Sequence, residues 1–143
     1  MAKEYNPAMH TAEHILNAVM TDRYGSRSFS THVEKKKSKC DYRIILAPAD
    51  EDILSIENEI NGIISQKLEV TEKFISRTEA ENNFNLEKLP ESAGDSIRLV
   101  QIGNYNEYPC IGEHVNNTSE IGVFRIYSHD FNDGVLRLRF RLE

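Results

Sequence analysis

Two pairs of side chains with metal-binding chemistry occur in this sequence at the same spacing. His10 and His14 lie one helical turn apart, and Cys110 and His114 repeat that interval far along the chain. On a helix, positions i and i+4 share a face, so both imidazoles of the first pair can reach one ion. Three imidazoles and a thiolate form a tetrahedral donor set that suits zinc, although nickel, cobalt and iron accept the same donors. The sequence predicts one Zn²⁺ per chain, bound by His10, His14, Cys110 and His114.

Either pair alone is a weak signal, because histidines at helical spacing also occur as packed or surface residues. The presence of both pairs in one short chain favours ligation, since four separate structural roles would otherwise be needed. Pro109 and Gly112 mark a turn around the thiol of the second pair. His32 and His129 have no partner at ligand spacing, so we expect surface or hydrogen-bonded imidazoles there. Cys40 lies in an alternating segment, which is typical of a buried thiol that packs as a small apolar side chain.

The first ligand pair requires a helix near the start of the chain. Asn6 and Pro7 are typical of an N-cap and a first helical position, and apolar residues continue at near-helical spacing up to Gly25. Two alternating runs between Arg27 and Leu46 then predict a hairpin, with a charged tip at Glu34 to Lys39. The first pair is therefore followed by a strand segment that can pack on the helix.

The middle of the chain predicts a second helix and its neighbours. Asp50 can cap this helix, whose apolar stripe continues to Leu68. We expect a strand at Val70 to Ser76 and a short helix at Arg77 to Phe84. The segment Asn85 to Asp95, which contains Pro and Gly, is predicted to be the least ordered connection.

Strand patterns return in the last third of the chain. They cover four segments, with a hairpin turn at Asn132-Asp133-Gly134: Ile97 to Ile102, Tyr105 to Tyr108, Gly122 to Ser128 and Val135 to Leu142. The mixture predicts an α+β fold, a two-layer sandwich in which helices cover one face of a mostly antiparallel sheet. A length of 143 residues, with 39% apolar and 28% charged residues, favours one globular domain over residues 1–143.

Charge and the first residues limit the class of protein further. A net charge of −6 argues against a protein that coats nucleic acid without specificity, since phosphate binding needs clustered Lys and Arg. No apolar run approaches the roughly 20 residues of a membrane span. Met1 to Pro7 lacks the apolar region of a secretory signal. We therefore expect a cytoplasmic protein whose two cysteines are thiols.

The two ligand segments resemble a known family. The sequence HTAEHIL at residues 10–16 is similar to the HTAxHLL opening of the editing domain shared by alanyl-tRNA synthetase, threonyl-tRNA synthetase and the free-standing AlaX proteins. The sequence PCIGEHVNNTSEIGVFRI at residues 109–126 resembles the family segment C-G-G-T-H-V...T-G-E-I-G-x-F-K-I. Ile111 and Glu113 replace a Gly and a Thr of that pattern, and Ser119 replaces a Gly. The resemblance covers nearly the whole chain.

This resemblance implies a short stand-alone editing protein of AlaX type, which hydrolyses the ester of mischarged tRNA in trans. The expected substrate is Ser or Gly on alanine tRNA, with Ser on threonine tRNA as an alternative. A metal in such a site can polarise the ester carbonyl, lower the pKa of an attacking water or anchor the terminal adenosine. In a metal-free enzyme, which the threonyl branch resembles, His10 or His14 would act as the general base.

A further alternative is a zinc-binding module of the same fold without catalytic activity. Four protein ligands normally close a tetrahedral zinc site, whereas catalytic zinc keeps one position open. The changes at Ile111 and Glu113 would then have altered the pocket beyond hydrolysis.

Substrate contacts are expected on the first hairpin and next to the last ligand. A buried hydroxyl is the usual sensor of a substrate hydroxyl, and the candidates are Ser28, Ser30 and Thr31, with Ser28 near a hydroxyl residue implicated in the family. Glu113 is a further candidate. Two basic clusters can contact tRNA, although charged strands also protect sheet edges: Lys35, Lys36, Lys37 and Lys39 at the hairpin tip, and Arg137, Arg139 and Arg141 on the last strand.

Overall fold

The computed structural model describes residues 6–84, 86, 94–105 and 107–143. Within these residues the chain forms three α-helices, seven strands and a short 3-10 turn at Thr118–Glu120. The helices are α1 (Pro7–Tyr24), α2 (Asp50–Ser65) and α3 (Arg77–Asn83). The strands are β1 (Ser30–Val33), β2 (Lys37–Arg43), β3 (Val70–Ser76), β4 (Ser96–Ile102), β5 (Tyr108–Pro109), β6 (Phe124–Asn132) and β7 (Val135–Leu142).

The strands form two antiparallel sheets. The larger sheet has the order β1-β2-β7-β6, and the smaller has the order β3-β4-β5. The predicted α+β fold with antiparallel strands is confirmed, and its strands are divided between these two sheets. The two-residue turn between β6 and β7 has positive φ at Asp133 (49°) and Gly134 (76°), as a tight hairpin with the right-handed strand twist requires.

Helix α1 is the central element of the core. The Oδ1 atom of Asn6 accepts a hydrogen bond from the Met9 amide at 3.2 Å, and the Gly25 N–H caps the last turn on the Thr21 carbonyl at 2.9 Å. Gly25 has φ 64°, which suits a residue without a side chain. The helix begins and ends as the sequence predicts. Its buried residues pack with α2 and the inner face of the larger sheet.

The N-cap of helix α2 lies one residue earlier than predicted. Ala49 is the N-cap, and the Asp52 carboxylate accepts a hydrogen bond from the Ala49 amide at 2.9 Å. Asp50 is the first helical residue, where its charge favours the positive end of the helix dipole. The buried stripe excludes Leu54, which is 56% exposed because it lies on the opposite face.

The remaining differences concern strand ends. The hairpin tip is shorter than predicted, because β2 begins at Lys37 and the Glu34 amide bonds the Lys37 carbonyl. The strand predicted at Tyr105 to Tyr108 is reduced to β5, since a turn closes between Ile102 and Tyr105. The segments Asn85 to Asp95 and Met1 to Pro7 lie mostly outside the described residues. Among the described residues, no helix combines the length and apolar character needed to cross a bilayer.

The segment that carries the second ligand pair is held by the smaller sheet and by α2. The Cys110 amide donates to the Arg98 carbonyl at 3.1 Å, and the Val70 amide donates to the Asn116 carbonyl at 2.9 Å. The Thr118 hydroxyl accepts from the Leu68 amide and donates to a carbonyl of α2. These bonds fix the segment against the first half of the chain.

Candidate metal centre

The two ligand pairs meet in one buried cluster. His10 and His14 extend from α1, while Cys110 and His114 lie on the segment that follows β5. The four donor atoms all lie within 4.8 Å of one another, and the group can hold a metal ion. The Nε2 atom of His10 is 3.3 Å from Sγ of Cys110. The rings of His10 and His114 stack with centroids 4.1 Å apart, and His14 meets the His114 ring edge-on at 4.7 Å.

Hydrogen bonds orient two of the imidazoles. Nδ1 of His10 lies 3.1 Å from the Glu113 carbonyl, which can only accept, so this nitrogen donates. Nδ1 of His114 lies 2.9 Å from the hydroxyl of Thr11, whose own proton goes to the Pro7 carbonyl at 2.8 Å. The proton of each ring is therefore on Nδ1, and each Nε2 presents a lone pair to the cluster.

This orientation leaves a buried acceptor that a metal would satisfy. Among the described residues, Nε2 of His114 is buried and has no hydrogen-bond partner. Such an atom costs about 1–3 kcal/mol when it is left unsatisfied. A zinc ion accepts imidazole nitrogen and thiolate in tetrahedral geometry. The donor set, its orientation and the unsatisfied nitrogen all fit a bound metal.

Burial sets the protonation of the ligands. Desolvation lowers the pKa of His10, lowers that of His14 well below 6.5 and lowers that of His114 to about 3. The imidazoles are therefore neutral at physiological pH, which is the form that binds metals. Desolvation raises the pKa of Cys110, while the guanidinium groups of Arg98 and Arg27 act in the opposite direction. The thiolate thus needs a nearby cation, which a metal would supply.

Gly112 allows the second pair to approach α1. A Cβ atom at this position would lie 2.4 Å from Cε1 and 2.6 Å from Nδ1 of His10. Any side chain larger than hydrogen would therefore push the turn away from the imidazole. Ile111 and Glu113, which flank this glycine, have exposed side chains at the rim.

Arg98 on β4 clamps the turn that carries the thiol. Its Nη1 atom donates to the carbonyls of Cys110 at 3.2 Å and Gly112 at 2.7 Å, and its Nε atom pairs with the Glu72 carboxylate. Sequence reasoning missed Arg98 and Thr11. The position of Thr11 between two histidines on one helix was an available signal, whereas nothing in the local sequence marks Arg98.

Comparisons with known proteins identify relatives over most of the chain. The model of the family described as "Threonyl and Alanyl tRNA synthetase second additional domain" matches residues 97–139. Alanine–tRNA ligase of Fervidobacterium nodosum is 33% identical over 132 residues, which is 90% of this chain and 15% of that protein. The chain belongs to this family. Alanine–tRNA ligases of Sulfurisphaera tokodaii and Methanococcus vannielii are each 32% identical, over 138 and 136 residues and 92% of this chain.

The chain spans about 15% of the length of these curated relatives. The similarity therefore concerns only a small part of each ligase. The matched residues 97–139 include Arg98, Cys110 and His114.

Two of the three predicted hydroxyls meet beside α1. Oγ of Ser28 lies 2.7 Å from Oγ1 of Thr31 and donates to the Ser30 carbonyl at 2.8 Å. Thr31 also contacts the Cys40 thiol at 3.8 Å. The side chain of Ser30 is exposed, because strand alternation directs it to the opposite face. Cys40 is fully buried, as expected, and burial raises its pKa to about 12.

A buried polar chain connects these hydroxyls with the metal cluster. Tyr42 donates to Oδ1 of Asn17 at 2.8 Å, and the Ser28 amide bonds the same oxygen at 3.4 Å. The Asn17 amide donates to Glu13 at 2.9 Å, and the other Glu13 oxygen is 3.7 Å from Nε2 of His14. The carboxylate thus lies between the hairpin and the ligands.

The predicted tRNA contacts fall into two structural classes. Lys35, Lys36 and Lys37 are exposed at the hairpin tip, and Asn6 donates to the Lys35 carbonyl at 2.9 Å. This bond places the tip at the N-terminus of α1, close to the cluster. Lys39 lies on β2 and is half-buried.

The arginines of β7 are engaged with carboxylates on the outer sheet face. Arg137 binds Asp41 at 2.8 and 3.0 Å, and the other two pair with acidic residues at 2.6 and 3.0 Å: Arg139 with Asp130, and Arg141 with Glu143. These ion pairs occupy the three arginines, and because β7 lies between β2 and β6 the arginines do not protect a sheet edge. His32 and His129 lie beside Glu34 and Asp50, both at 3.4 Å, as expected of surface imidazoles.

Proposed function

We propose that this chain is a zinc-dependent aminoacyl-tRNA deacylase that removes Ser or Gly from mischarged alanine tRNA. It would act in trans in the cytoplasm, with residues 1–143 forming a single editing domain. The observation that supports the proposal best is the buried donor set, whose four candidate ligand atoms lie within 4.8 Å of one another. Membership of a family shared with alanine–tRNA ligases supports tRNA as the substrate class.

His10, His14, Cys110 and His114 would hold the ion. When bound, zinc supplies Lewis-acid polarisation of the ester carbonyl. In an enzyme without metal, the neutral imidazole of His10 could instead accept a proton at Nε2, because the Glu113 carbonyl retains the proton on Nδ1. His14 would be the second candidate base in that case, since burial keeps it neutral. Burial of the cluster also limits access of bulk water.

Recognition of the amino acid would use the polar chain beside α1. Ser28 and Thr31 provide paired hydroxyls that can exchange their mutual bond for one to a seryl side chain. A buried polar partner of this kind discriminates strongly against analogues that lack the hydroxyl. Glu113, exposed at the rim, would contact the part of the substrate outside the cluster. The lysines of the hairpin tip, Lys35, Lys36, Lys37 and Lys39, would bind nearby phosphates of the tRNA.

A non-catalytic zinc module is the second candidate function. It is favoured by the number of protein donors, because four such donors close a tetrahedral site. Hydrolysis without metal, with His10 or His14 as the base, is the mechanistic alternative. Removal of Ser from threonine tRNA is the alternative substrate.

A deacylation assay on purified mischarged tRNAs tests these possibilities. Zinc-loaded and chelator-treated protein would be incubated with Ser and Gly on alanine tRNA, Ser on threonine tRNA and correctly charged alanine tRNA. We expect release of Ser and Gly from alanine tRNA only, reduced by roughly 100-fold or more by chelation or by His10→Ala. His129→Ala, which changes a surface imidazole, is the matched control.

Each alternative has its own result in this assay. Bound zinc without turnover on any substrate would identify a binding module. Turnover that survives chelation but not His10→Ala would support the metal-free mechanism. Release of Ser from threonine tRNA alone would reassign the substrate.

A further inference from the structure

The outer face of the larger sheet contains an open cavity, on the opposite side of the sheet from α1. Its volume is about 330 Å³, at the lower end of the roughly 300–1,000 Å³ that small-ligand sites occupy. Leu138 and Phe140, which alternate with the outer residues of β7, are fully buried on the inner face. The lining of the cavity includes side chains from all four strands: His32, Lys37, Lys39, Tyr127 and Arg139.

Cations lie directly opposite one another across the strands at this cavity. Lys39 of β2 is the cross-strand partner of Arg139 on β7, and Lys37 is the partner of Arg141. Arg141 in turn faces Arg125 on β6. The Cβ atoms of such partners lie roughly 4.5–5.5 Å apart, and like charges at these positions destabilise a sheet. An anion bound between them would remove this repulsion.

The neighbouring cross-strand pair on the same face shows how a carboxylate compensates a cation. Asp41 of β2 faces Arg137 on β7, and its carboxylate accepts two hydrogen bonds from the guanidinium, at 2.8 and 3.0 Å. The two lysines differ from this pair. Within the described part of the chain, neither Lys37 nor Lys39 forms an ion pair.

The guanidinium of Arg139 is only partly used by its protein partners. Its Nη1 atom donates to Ser128 at 3.1 Å and to Asp130 at 2.6 Å. Its Nε and Nη2 atoms have no hydrogen-bond partner among the described residues. One guanidinium edge and two ammonium groups are therefore available at the cavity.

Neither edge protection nor overall charge explains these cations. Strands β2 and β7 each lie between two other strands, so their cations do not guard an open edge. The chain as a whole has a net charge of −6, so solubility does not require positive charge on this face. A ligand that brings negative charge to the cavity accounts for the arrangement.

The available donors suit a phosphate group. Such a group carries nearly two negative charges and several strong acceptor oxygens. The planar guanidinium matches these oxygens with paired N–H groups, and lysines bind them as point charges. Glu34 also lines the cavity, but its carboxylate lies 3.4 Å from Nε2 of His32 and is engaged with that imidazole.

We infer that this cavity binds a phosphate group, held by Lys37, Lys39 and Arg139. The chemistry is the same for a free phosphate ion and for a phosphate of an RNA backbone, and separate binding assays distinguish the two sources. With RNA as the source, the inference rests on the proposed function and adds Arg139 to the tRNA contacts of the lysines.

An NMR titration of the full zinc-loaded chain tests the site with inorganic phosphate as the probe. Phosphate replaces chloride at constant ionic strength, so that general screening is matched. We expect saturable shifts of the backbone amides of Lys39 and Arg139. Lys39→Gln and Arg139→Gln should each weaken phosphate binding roughly tenfold, because each removes a charged donor. Arg139→Lys should retain part of the affinity, since it keeps the charge.

A fluorescein-labelled RNA hairpin with a blunt, fully paired end tests the second source. This probe has no single-stranded end to enter the metal cluster, so its fluorescence anisotropy reports contact with the duplex backbone. If RNA is the source, both Gln variants bind the hairpin roughly tenfold more weakly and phosphate competes with it. If the free ion is the source, phosphate binds at the cavity and the hairpin does not displace it.

Arg43→Gln is the matched control, because it removes one positive charge from β2 outside the cavity. The Arg43 guanidinium lies 4.2 Å from the centroid of the Phe29 ring. This variant should retain parental affinity for both probes. Circular dichroism and zinc content show whether each variant is folded with an intact cluster. If Arg139→Gln unfolds, Lys39→Gln decides, because its side chain has no ion pair to lose among the described residues.

The inference is overturned if the amide shifts are absent or do not saturate, or if both Gln variants bind phosphate as the parent protein does. Equal weakening in Arg43→Gln would also overturn it, since general charge would then explain the binding. Deacylation of mischarged tRNA by a protein that does not bind phosphate at the cavity would reject the inference and retain the proposed function. Phosphate binding at the cavity without deacylation would do the reverse.

Discussion

Thr11 and Gly112 determine how the imidazoles of the cluster are placed, although neither residue offers a ligand atom. The Thr11 hydroxyl fixes the tautomer of His114, and the absent side chain of Gly112 leaves room for the His10 ring. Partners that orient ligands in this way commonly account for 10- to 100-fold in metal affinity, or about 1–3 kcal/mol. Both residues therefore belong to the candidate metal site.

Substitution of Gly112 by Ala should reduce zinc affinity by roughly 10- to 100-fold, because the new methyl group overlaps the His10 ring. Competition with a chromophoric chelator measures the affinity. Gly62→Ala in α2 is the matched control. Beyond the backbone of its own helix, no described atom lies within 4 Å of the place that a methyl group at Gly62 would take. This change should therefore leave zinc affinity unaltered and stabilise the fold by about 0.5–1 kcal/mol. Equal zinc affinity in both variants would refute the steric argument.

The candidate ligand residues could be singled out because their chemistry and spacing are local in the sequence. His10 and His14 share a helix face, and the second pair repeats the interval. The contact between Thr11 and His114 joins residues 103 positions apart. Such long-range partners depend on tertiary packing, so sequence periodicity does not reveal them. The exposure of the Ser30 side chain also could not be predicted, because the register of β1 decides which face of the sheet this side chain occupies.

Strand β4 positions the second ligand pair from outside the cluster. Its residue Arg98 bonds two carbonyls of the Cys110 turn and is held in place by Glu72 of β3. The smaller sheet is therefore a scaffold for the thiol, and the larger sheet packs with the helix that carries the first pair.

Arg98→Gln should lower zinc affinity about tenfold, because the turn loses both charged hydrogen bonds. Arg98→Lys should recover part of that loss by restoring one donor. Arg139→Gln removes a comparable ion pair on the larger sheet and should not change zinc affinity. The thiolate-to-cobalt absorption of Co²⁺-substituted protein gives an independent reading of the Cys110 position. An unchanged spectrum and affinity in Arg98→Gln would contradict the positioning role.

The bounds of elements with strong local signals were predicted closely, whereas the bounds of the short edge strand β5 were not. The cap at Asn6, Pro7 and Gly25 defined α1, and β3 and β7 have the predicted bounds. The strand expected at Tyr105 failed because a turn stabilised by tertiary contacts replaced most of it. Division of the strands into two sheets is a matter of pairing, which composition and alternation do not specify.

For the whole molecule, the buried imidazoles link stability to pH. Their pKa values are lowered in the folded state from 6.5, for His114 to about 3. The unfolded chain therefore binds more protons than the folded chain below pH 6.5. The contribution of these imidazoles to the free energy of unfolding is fully present above that pH and is lost as the pH decreases. The raised pKa of Cys110 acts in the alkaline range, where stability declines as the pH rises.

The metal-free protein should consequently show a lower Tm at pH 5 than at pH 7. Thermal unfolding followed by circular dichroism in the presence of a chelator measures this difference. Carboxylates with lowered pKa, such as Asp41, titrate below this window. The difference should shrink in His114→Asn and persist in His32→Asn, whose imidazole is exposed. Zinc should raise Tm at pH 7 and lose this effect toward pH 5, as protons compete for the ligands. An identical pH response in His114→Asn would exclude the imidazole origin.

The long interval between His10 and Cys110, 100 positions apart, also has a consequence for biosynthesis. A ribosome adds about 5–20 residues per second, so the helix with the first imidazoles emerges roughly 5–20 s before the thiol. During that time a nascent chain offers only two nitrogens, which hold an ion weakly. Selection of a metal by all four donors would therefore be postponed until the segment that carries Cys110 and His114 has also been made.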